Sequence, residues 1–155
     1  MSNNLTILFM TPQMIVGGAE RYILQKSQWL INNGYNVVIV SAGGIWEDKI
    51  TELGGKHYKH YFINEDPYLL KKSLLIKNIL ILRDIIETEN ITIIESNQFN
   101  PAVWGYYLST LYNIPFFMNV LGGRTFYQGK NNYLRFLKHL DELGLYYNSE
   151  CSNKI

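Results

Sequence analysis

The sequence predicts a doubly wound, Rossmann-like parallel α/β sheet, because apolar segments of strand length alternate with longer segments of helical periodicity. Residues 5–10 (LTILFM) and 37–40 (VVIV) are almost continuously apolar, which suits strands buried on both faces of a sheet. Between them, Ile23, Ser27 and Leu30 recur at helical spacing. Strands connected through helices run parallel with right-handed crossovers, so one sheet with helices on both faces is expected.

The same alternation continues along the chain and predicts about six strands. Glycine and proline mark the boundaries: Gly34 ends the first helix, Gly54–Gly55 ends the second, and Asp66-Pro67 opens the third. After the second strand, the predicted elements are a helix at 45–55, a strand at 56–63, a helix from 66, a strand at 91–96, a helix from 101 to about 112, a strand at 114–120, a helix at 133–144 and a strand at 145–149.

This fold would bring four loops together at one edge of the sheet. The loops after the first, second, fourth and fifth strands contain Gly17–Gly18, Gly43–Gly44, residues 97–100 and residues 122–124. Open parallel sheets bind ligands in the crevice at the carboxyl ends of their strands. We therefore expect a ligand site built from these loops.

Composition restricts the class of protein. The chain of 155 residues is long enough for one domain, and 47% hydrophobic with 17% charged residues indicates a globular one. A formal net charge of +1 predicts no nucleic-acid partner. The single cysteine, Cys151, excludes an intrachain disulfide and favours a reducing, cytoplasmic compartment. No signal peptide is predicted, because residues 1–10 have no basic n-region and only a short apolar stretch. No membrane span is predicted, because charges interrupt the apolar stretch at 74–86.

The segment TPQMIVGGAERYILQ (residues 11–25) places two glycines between a buried strand and a helix. A helix N-terminus carries free N–H groups and a positive dipole end, which together favour a phosphate. The chain lacks the P-loop pattern of nucleotide hydrolases. It also lacks G-x-G-x-x-G and the acidic residue that a dinucleotide fold needs after its second strand, where Ser41-Ala42 stands instead.

GGAER at this place resembles the N-terminal domain of family 4 glycosyltransferases, whose GT-B fold has two Rossmann-like halves. LINNGYNVVIVSAGG, ITIIESNQFNPAVWGYYLSTLYNIPFFMNVLGG and LGLYYNSE are similar to later segments of that domain, in the same order. The resemblance covers nearly the whole chain. It implies that residues 1–155 are the N-terminal, acceptor-side domain, and that a C-terminal donor-binding domain is absent from this chain.

The resemblance implies transfer of a sugar from a nucleotide-diphosphate donor, with retention of configuration, to a glycan or lipid-linked acceptor. Such a reaction serves the synthesis of bacterial surface polysaccharide or cell wall. Gly17 and Gly18 would then approach the donor diphosphate, whereas the alternative is a helix turn that needs glycine only for shape. No catalytic residue, metal or cofactor besides the sugar nucleotide is predicted. The rival hypothesis is a stand-alone Rossmann-like binding or interaction module without catalysis.

Many family members place a histidine just after the fifth strand, and this chain has Asn119 followed by Gly122 and Gly123 instead. Asn119 could bond a sugar hydroxyl, and the glycines could admit a ligand closely. Arg124 could meet an acceptor phosphate or the donor, with solvent exposure as the alternative.

At the end of the fourth strand, Asn97 lies at the same edge as Asn119. The neighbouring Glu95 has two interpretations, orientation of an acceptor hydroxyl or a hydrogen bond that fixes a loop. Asn97 completes the predicted set of acceptor or donor sugar contacts, with Asn119, Gly122, Gly123 and Arg124.

Three further features have mainly structural interpretations. His57 and His60 are three apart and would face opposite sides of a strand, which disfavours a metal pair. Trp46 follows a Gly-Gly loop and could stack on a sugar ring, although core packing is the favoured alternative. Lysines at 71, 72 and 77 beside apolar residues 68–70 are compatible with peripheral contact to the inner face of a membrane, although a solvated helix face is favoured.

Overall fold

A computed structural model describes residues 5–119 and 125–145, the side chains of 125–130 excepted. Strands and helices alternate along this part of the chain. In order, they are β1 (Thr6–Met10), α1 (Gly18–Asn32), β2 (Asn36–Ser41), α2 (Glu47–Glu52), β3 (Lys56–Lys59), two 3₁₀ turns (Tyr61–Asn64 and Pro67–Leu69), α3 (Lys72–Thr88), β4 (Ile93–Asn97), α4 (Phe99–Tyr112), β5 (Phe116–Asn119) and α5 (Thr125–Glu142).

The five described strands form one parallel sheet in the order β3-β2-β1-β4-β5. The first strand of the sequence is therefore the central strand, with β2 on one side and β4 on the other. The direction of winding reverses between β1 and β4, which is the switch point at which open α/β sheets bind ligands. The predicted doubly wound α/β fold is confirmed.

Two apolar cores lie on the two faces of the sheet, since successive side chains of a strand point to opposite faces. Ile7 and Phe9 of β1 pack with α1 and α2 on one face. Leu8 and Met10 pack with α3, α4 and α5 on the other. All four are 6% exposed or less, so β1 is buried on both faces, as its continuous apolar sequence predicts.

Helix α5 is attached to the second core through Phe136. Its ring lies edge-on to Trp104 of α4, with a centroid separation of 5.4 Å, and also contacts Tyr107. Trp104 and Phe136 are both fully buried. This aromatic contact fixes the position of α5 on the sheet.

Three predicted boundaries are wrong by four residues or more. The helix predicted at 133–144 begins eight residues earlier, at Thr125, because Gly129, Asn131 and Asn132 interrupt the helical sequence pattern without ending the helix. The strand predicted at 56–63 ends at Lys59, because its neighbour β2 ends at Ser41, the partner of Lys59. The His60 N–H still donates to the Ser41 carbonyl at 2.7 Å, and a 3₁₀ turn follows. The helix predicted from Asp66 begins only at Lys72, because Leu70 and Lys71 have extended backbones.

The number of strands is confirmed for five of the six that the sequence predicts. The sixth was predicted at 145–149, and residues 146–149 lie outside the described residues.

Candidate functional site

The candidate site lies at the carboxyl ends of β1 and β4, where two helices begin. Helix α1 follows β1 on one face of the sheet, and α4 follows β4 on the other. The first-turn N–H groups of a helix lack partners within the helix, so two sets of donors flank the switch point. This geometry favours an anion or an oxygen-rich ligand.

The glycine pair lies where the sequence predicts it, at the N-terminus of α1. Gly17 is the N-cap residue with an extended backbone (φ −155°, ψ 171°), and Gly18 is the exposed first residue of the helix. A Cβ on Gly17 would collide with the Glu20 carboxylate, the movable end of a side chain. A Cβ on Gly18 would have no heavy atom within 4 Å. Nothing in the described part of the chain therefore requires glycine at position 18.

The second glycine pair is required by the backbone of its own loop. Gly43 and Gly44 have φ angles of +103° and +150°, which L side chains rarely adopt. A Cβ on Gly44 would also collide with the backbone of Met14. The two loops are joined there by backbone bonds of 2.9 Å from the Met14 N–H to the Gly43 carbonyl and 3.0 Å from the Trp46 N–H to the Met14 carbonyl. Gly44 thus allows the loops after β1 and β2 to pack together.

A polar network connects α1, β4 and β5 near the switch point. Glu95 is 5% exposed and lies between Lys26 and Asn119. Lys26 Nζ donates to its Oε2 at 2.5 Å, and Asn119 Nδ2 donates to its Oε1 at 2.6 Å. Asn119 Nδ2 also donates to Asn97 Oδ1 at 2.9 Å. Glu95 is thus a hydrogen-bonded carboxylate between α1 and β5, and its orientation of an acceptor hydroxyl stays a prediction.

Lys26 is the member of this network that sequence reasoning missed. It lies 69 positions from Glu95, and no local pattern connects the two. Its signal is its place on α1 next to the buried Ser27, where the side chain is 36% exposed and can reach a neighbouring strand. Burial by itself lowers the pKa of Lys26, but hydrogen bonds to Glu95 and Tyr22 outweigh this and raise the pKa above its usual value.

Gln98, at the start of α4, has a strained backbone. Its φ of +68° and ψ of 178° fall in a region that is essentially confined to glycine. The side chain is exposed, whereas Ser96 and Asn97 before it are fully buried. This backbone conformation turns the chain sharply from β4 into α4, next to Asn97 and Asn119.

The remaining site predictions have mixed outcomes. Asn97 and Asn119 lie side by side, because they are register partners of the neighbouring strands β4 and β5. Gly122, Gly123 and Arg124 lie outside the described residues. Trp46 is only 9% exposed in the core below α1, with Lys49 over its ring, so the sugar-stacking interpretation is wrong.

His57 belongs to a separate cluster that holds the Gly43–Gly44 loop. Its Nε2 lies 2.7 Å from Ser41 Oγ, which accepts the Gly43 N–H at 3.0 Å. Glu47 accepts the Gly44 N–H at 2.5 Å and lies 3.7 Å from His57 Nδ1. Ser41 is fully buried, so this Ser-His-Glu arrangement supports a loop and has no access to a substrate.

His57 and His60 should make the fold sensitive to acid. Burial lowers the pKa of His57, partly offset by Glu47 and aided by Lys59, and burial likewise lowers the pKa of His60. The unfolded chain therefore binds more protons once the pH falls below 6.5, the ordinary value of the imidazoles. The contribution of these two histidines to the free energy of unfolding is complete above pH 6.5 and should be lost as the pH falls through the lowered pKa values.

Urea unfolding between about pH 7.5 and about pH 5 measures this loss, in a window above the ordinary carboxylate pKa values. The variant His57→Gln/His60→Gln should show a smaller slope of stability against pH than the parent. An unchanged slope would contradict the assignment to these two rings.

Across residues 5–119 and 125–145, no group of three or more His, Cys, Asp and Glu side chains could hold a metal ion. In the same ranges, no helix has the length and hydropathy needed to cross a bilayer.

Comparison with known proteins identifies the family. The profile described as Glycosyltransferase Family 4 matches residues 16–141, which include the glycine pair, the Glu95 network and both asparagines. The chain belongs to glycosyltransferase family 4. A search of the curated proteins found no significant match.

Solved structures show the fold of this family 4 chain. A glycosyltransferase from Rickettsia africae is 22% identical with a TM-score of 0.57 over 75% of this chain and 29% of its own. MurG from Acinetobacter baumannii is 15% identical, with a TM-score of 0.60 over 82% of this chain and 39% of its own. SnogD from Streptomyces nogalater is 12% identical, with a TM-score of 0.58 over 91% of this chain and 41% of its own. All are glycosyltransferases of the GT-B type. The family 4 chain spans less than half the length of each of these three.

Proposed function

We propose that this family 4 chain is the acceptor-side half of a retaining glycosyltransferase. The enzyme would transfer a sugar from a nucleotide-diphosphate donor to a glycan or lipid-linked acceptor, in the synthesis of bacterial surface polysaccharide or cell wall. The sugar nucleotide is a substrate, and the proposal needs no further cofactor or metal. A donor-binding half, outside the 155 residues of this chain, would close the cleft.

The observation that carries this proposal is the open space at Gly18. Neither the backbone angle nor a neighbouring atom of the described chain demands glycine there. A ligand that approaches the helix N-terminus closely would demand it. In the proposed enzyme, that ligand is the donor diphosphate, whose developing charge the free N–H groups of α1 would stabilise.

Exposed apolar side chains beside the glycine pair support a second half across the cleft. Ile15, Val16 and Ile45 are 43%, 62% and 72% exposed, and all three belong to the joined loops after β1 and β2. Apolar side chains grouped at one edge are typical of a surface that another domain covers. Leu69, 71% exposed beside Lys71, would serve the proposed peripheral contact with the inner face of the membrane when the acceptor is lipid-linked.

The chain by itself should not turn over a sugar nucleotide. Half of a cleft cannot hold donor and acceptor in the geometry of reaction, and such positioning supplies about 7–11 kcal/mol of a barrier. Nucleotide release from UDP-glucose, UDP-N-acetylglucosamine and GDP-mannose measures this for the purified chain. Clear turnover by the chain alone would contradict the division into two halves.

The same assay tests the function when a donor-binding half is supplied by fusion or coexpression. We expect release of nucleotide that depends on an acceptor glycan and a product with the donor's anomeric configuration. No transfer with any donor, from a complex that is folded and binds nucleotide, would instead favour the non-catalytic binding module.

A further inference from the structure

One face of β4 and β5 is open in the described part of the chain. On the α1 side of the sheet, α1 and α2 pack against β1 and β2. Helix α4 contacts β4 and β5 from the opposite side. Ile93 of β4 and Phe117 of β5 lie on the α1 side, because their register partners are Ile7 and Glu95, respectively. None of the described helices therefore covers the α1 side of these two strands.

A groove of about 410 Å³ lies between α1 and this open face. Leu5, Trp29 and Phe117 line it and are 42%, 60% and 57% exposed. The groove is apolar near the amino ends of the strands and polar near their carboxyl ends, where Glu95 and Asn119 contribute to its lining. Exposed apolar side chains grouped in this way are typical of a surface that another segment covers.

The groove has the width of one helix. Neighbouring strands are about 4.8 Å apart, so β4 and β5 lie about 5 Å and about 10 Å from β1. Helix α1 packs on β1 and β2, and the axes of packed helices are about 8–10 Å apart. A helix beside α1 would therefore lie over β4 and β5. To follow the five residues of β4, it needs about three turns.

The winding of the sheet does not supply this helix. The right-handed connection from β1 to β2 places α1 on one face. Because β4 and β5 lie on the other side of β1, the same handedness places α4 on the opposite face. Any strand added beyond β5 would bring its connecting helix to that opposite face as well. A helix over the groove must therefore come from a segment that does not connect neighbouring strands of this sheet.

We propose that this groove is the docking site of an amphipathic helix from the donor-binding half. Parallel sheets are almost always covered on both faces, so the open part of the α1 side requires a covering element. The contact would hold the two halves together beside α1, apart from the glycine pair at its N-terminus. The source of the helix rests on the proposed function, whereas the open groove is a property of the chain alone.

The lining of the groove defines the chemistry of the helix. Trp29, Tyr35 and Phe117 supply aromatic rings, which are frequent anchors of protein interfaces. Lys26 and Glu95 already form an ion pair of 2.5 Å, so a further charge buried against them would lack a partner. The face of the helix toward the groove should therefore carry apolar side chains and no charge.

Hydroxyl-radical oxidation, followed by mass spectrometry, measures the exposure of single side chains in the chain alone and in the enzyme with both halves. Oxidation of Trp29 and Phe117 should be about tenfold slower in the enzyme, since the core of an interface is fully buried. Leu80 of α3 and Tyr106 of α4 are the internal controls, because they are 47% and 44% exposed on helices of the opposite face. Their oxidation rates should be the same in both samples.

A matched pair of substitutions tests the contribution of the groove to association. Leu5→Ala should raise the Kd of the two coexpressed halves about fivefold, because part of an apolar side chain is no longer buried by the helix. Leu80→Ala is the same change at a similarly exposed leucine outside the groove, and its Kd should stay within about twofold of the parent. Both variants of the chain alone should melt close to the parent temperature.

Four results would overturn the docking site. They are equal oxidation of Trp29 in the chain and the enzyme, equal loss of affinity in both leucine variants, and folded halves that do not associate. The fourth is protection of Trp29 that grows with the concentration of the chain alone, which would assign the groove to a second copy. Protection of Trp29 in an enzyme without transfer would instead refute the proposed function and support the docking site.

Discussion

Replacing Gly18 with valine should reduce glycosyl transfer by about a hundredfold to a thousandfold while the domain stays folded. The valine side chain would fill the open space in front of the α1 N-terminus and keep the donor diphosphate from the free N–H groups. Loss of one such donor to a developing negative charge typically costs about 2.7–4 kcal/mol. The fold should lose less, since a Cβ at position 18 has no heavy atom of the described chain within 4 Å.

The measurement is a pair of values for each variant, the melting temperature of the chain and the transfer rate of the enzyme with both halves. Gly44→Val is the control, because its side chain would collide with Met14 and its φ is +150°. It should lower stability by about 1–3 kcal/mol or more through backbone strain. If Gly18→Val stays within about threefold of the parent rate, the glycine pair serves only the turn.

Truncating Trp104 to alanine should cost about 3–5 kcal/mol of unfolding free energy, the usual loss for a large buried aromatic residue. Trp104 is fully buried and lies edge-on to Phe136, so its removal leaves a cavity between α4 and α5. Such a loss is a large share of the roughly 5–15 kcal/mol that stabilises most domains.

Urea unfolding of Trp104→Ala measures this cost beside Trp29→Ala, the same change at a side chain that is 60% exposed. The exposed variant should stay within about 0.5 kcal/mol of the parent. Equal losses at both positions would show that α5 is not anchored through Trp104.

The architecture could be predicted because its signals are local. The continuous apolar run of β1 and the glycine pair at the N-terminus of α1 each lie within a few residues, and the structure places both as expected. The end of β3 could not be predicted, because the alternation in KHYKHYFI continues past the point where β2 stops offering partners. The start of α3 could not be predicted either, because the extended backbones of Leu70 and Lys71 carry no local signal. A distant contact lies at this point, since the Leu70 carbonyl accepts a hydrogen bond from His139 of α5 at 2.9 Å.

For the site, the sequence predicted which edge of the sheet would matter but not the contacts within it. Asn97 and Asn119 both follow from that prediction, whereas their pairing depends on the order and register of β4 and β5. The Lys26–Glu95 contact joins residues 69 positions apart, so only the folded chain shows it. The strained backbone of Gln98 carries no sequence signal, because glutamine is not a residue that marks such a conformation.

The central place of β1 in the sheet has a consequence for synthesis on the ribosome. Thr6 is bonded to Thr92 through contacts of 3.0 and 3.1 Å that span 86 positions of the chain. Because β1 leaves the ribosome before β4, it acquires this second neighbour only after β4 has emerged. Until then, the nascent chain presents an unpaired apolar strand edge, which is the kind of surface that aggregates or binds chaperones. Slow folding through such distant contacts is expected to make translation rate and chaperone supply determinants of the yield of this protein.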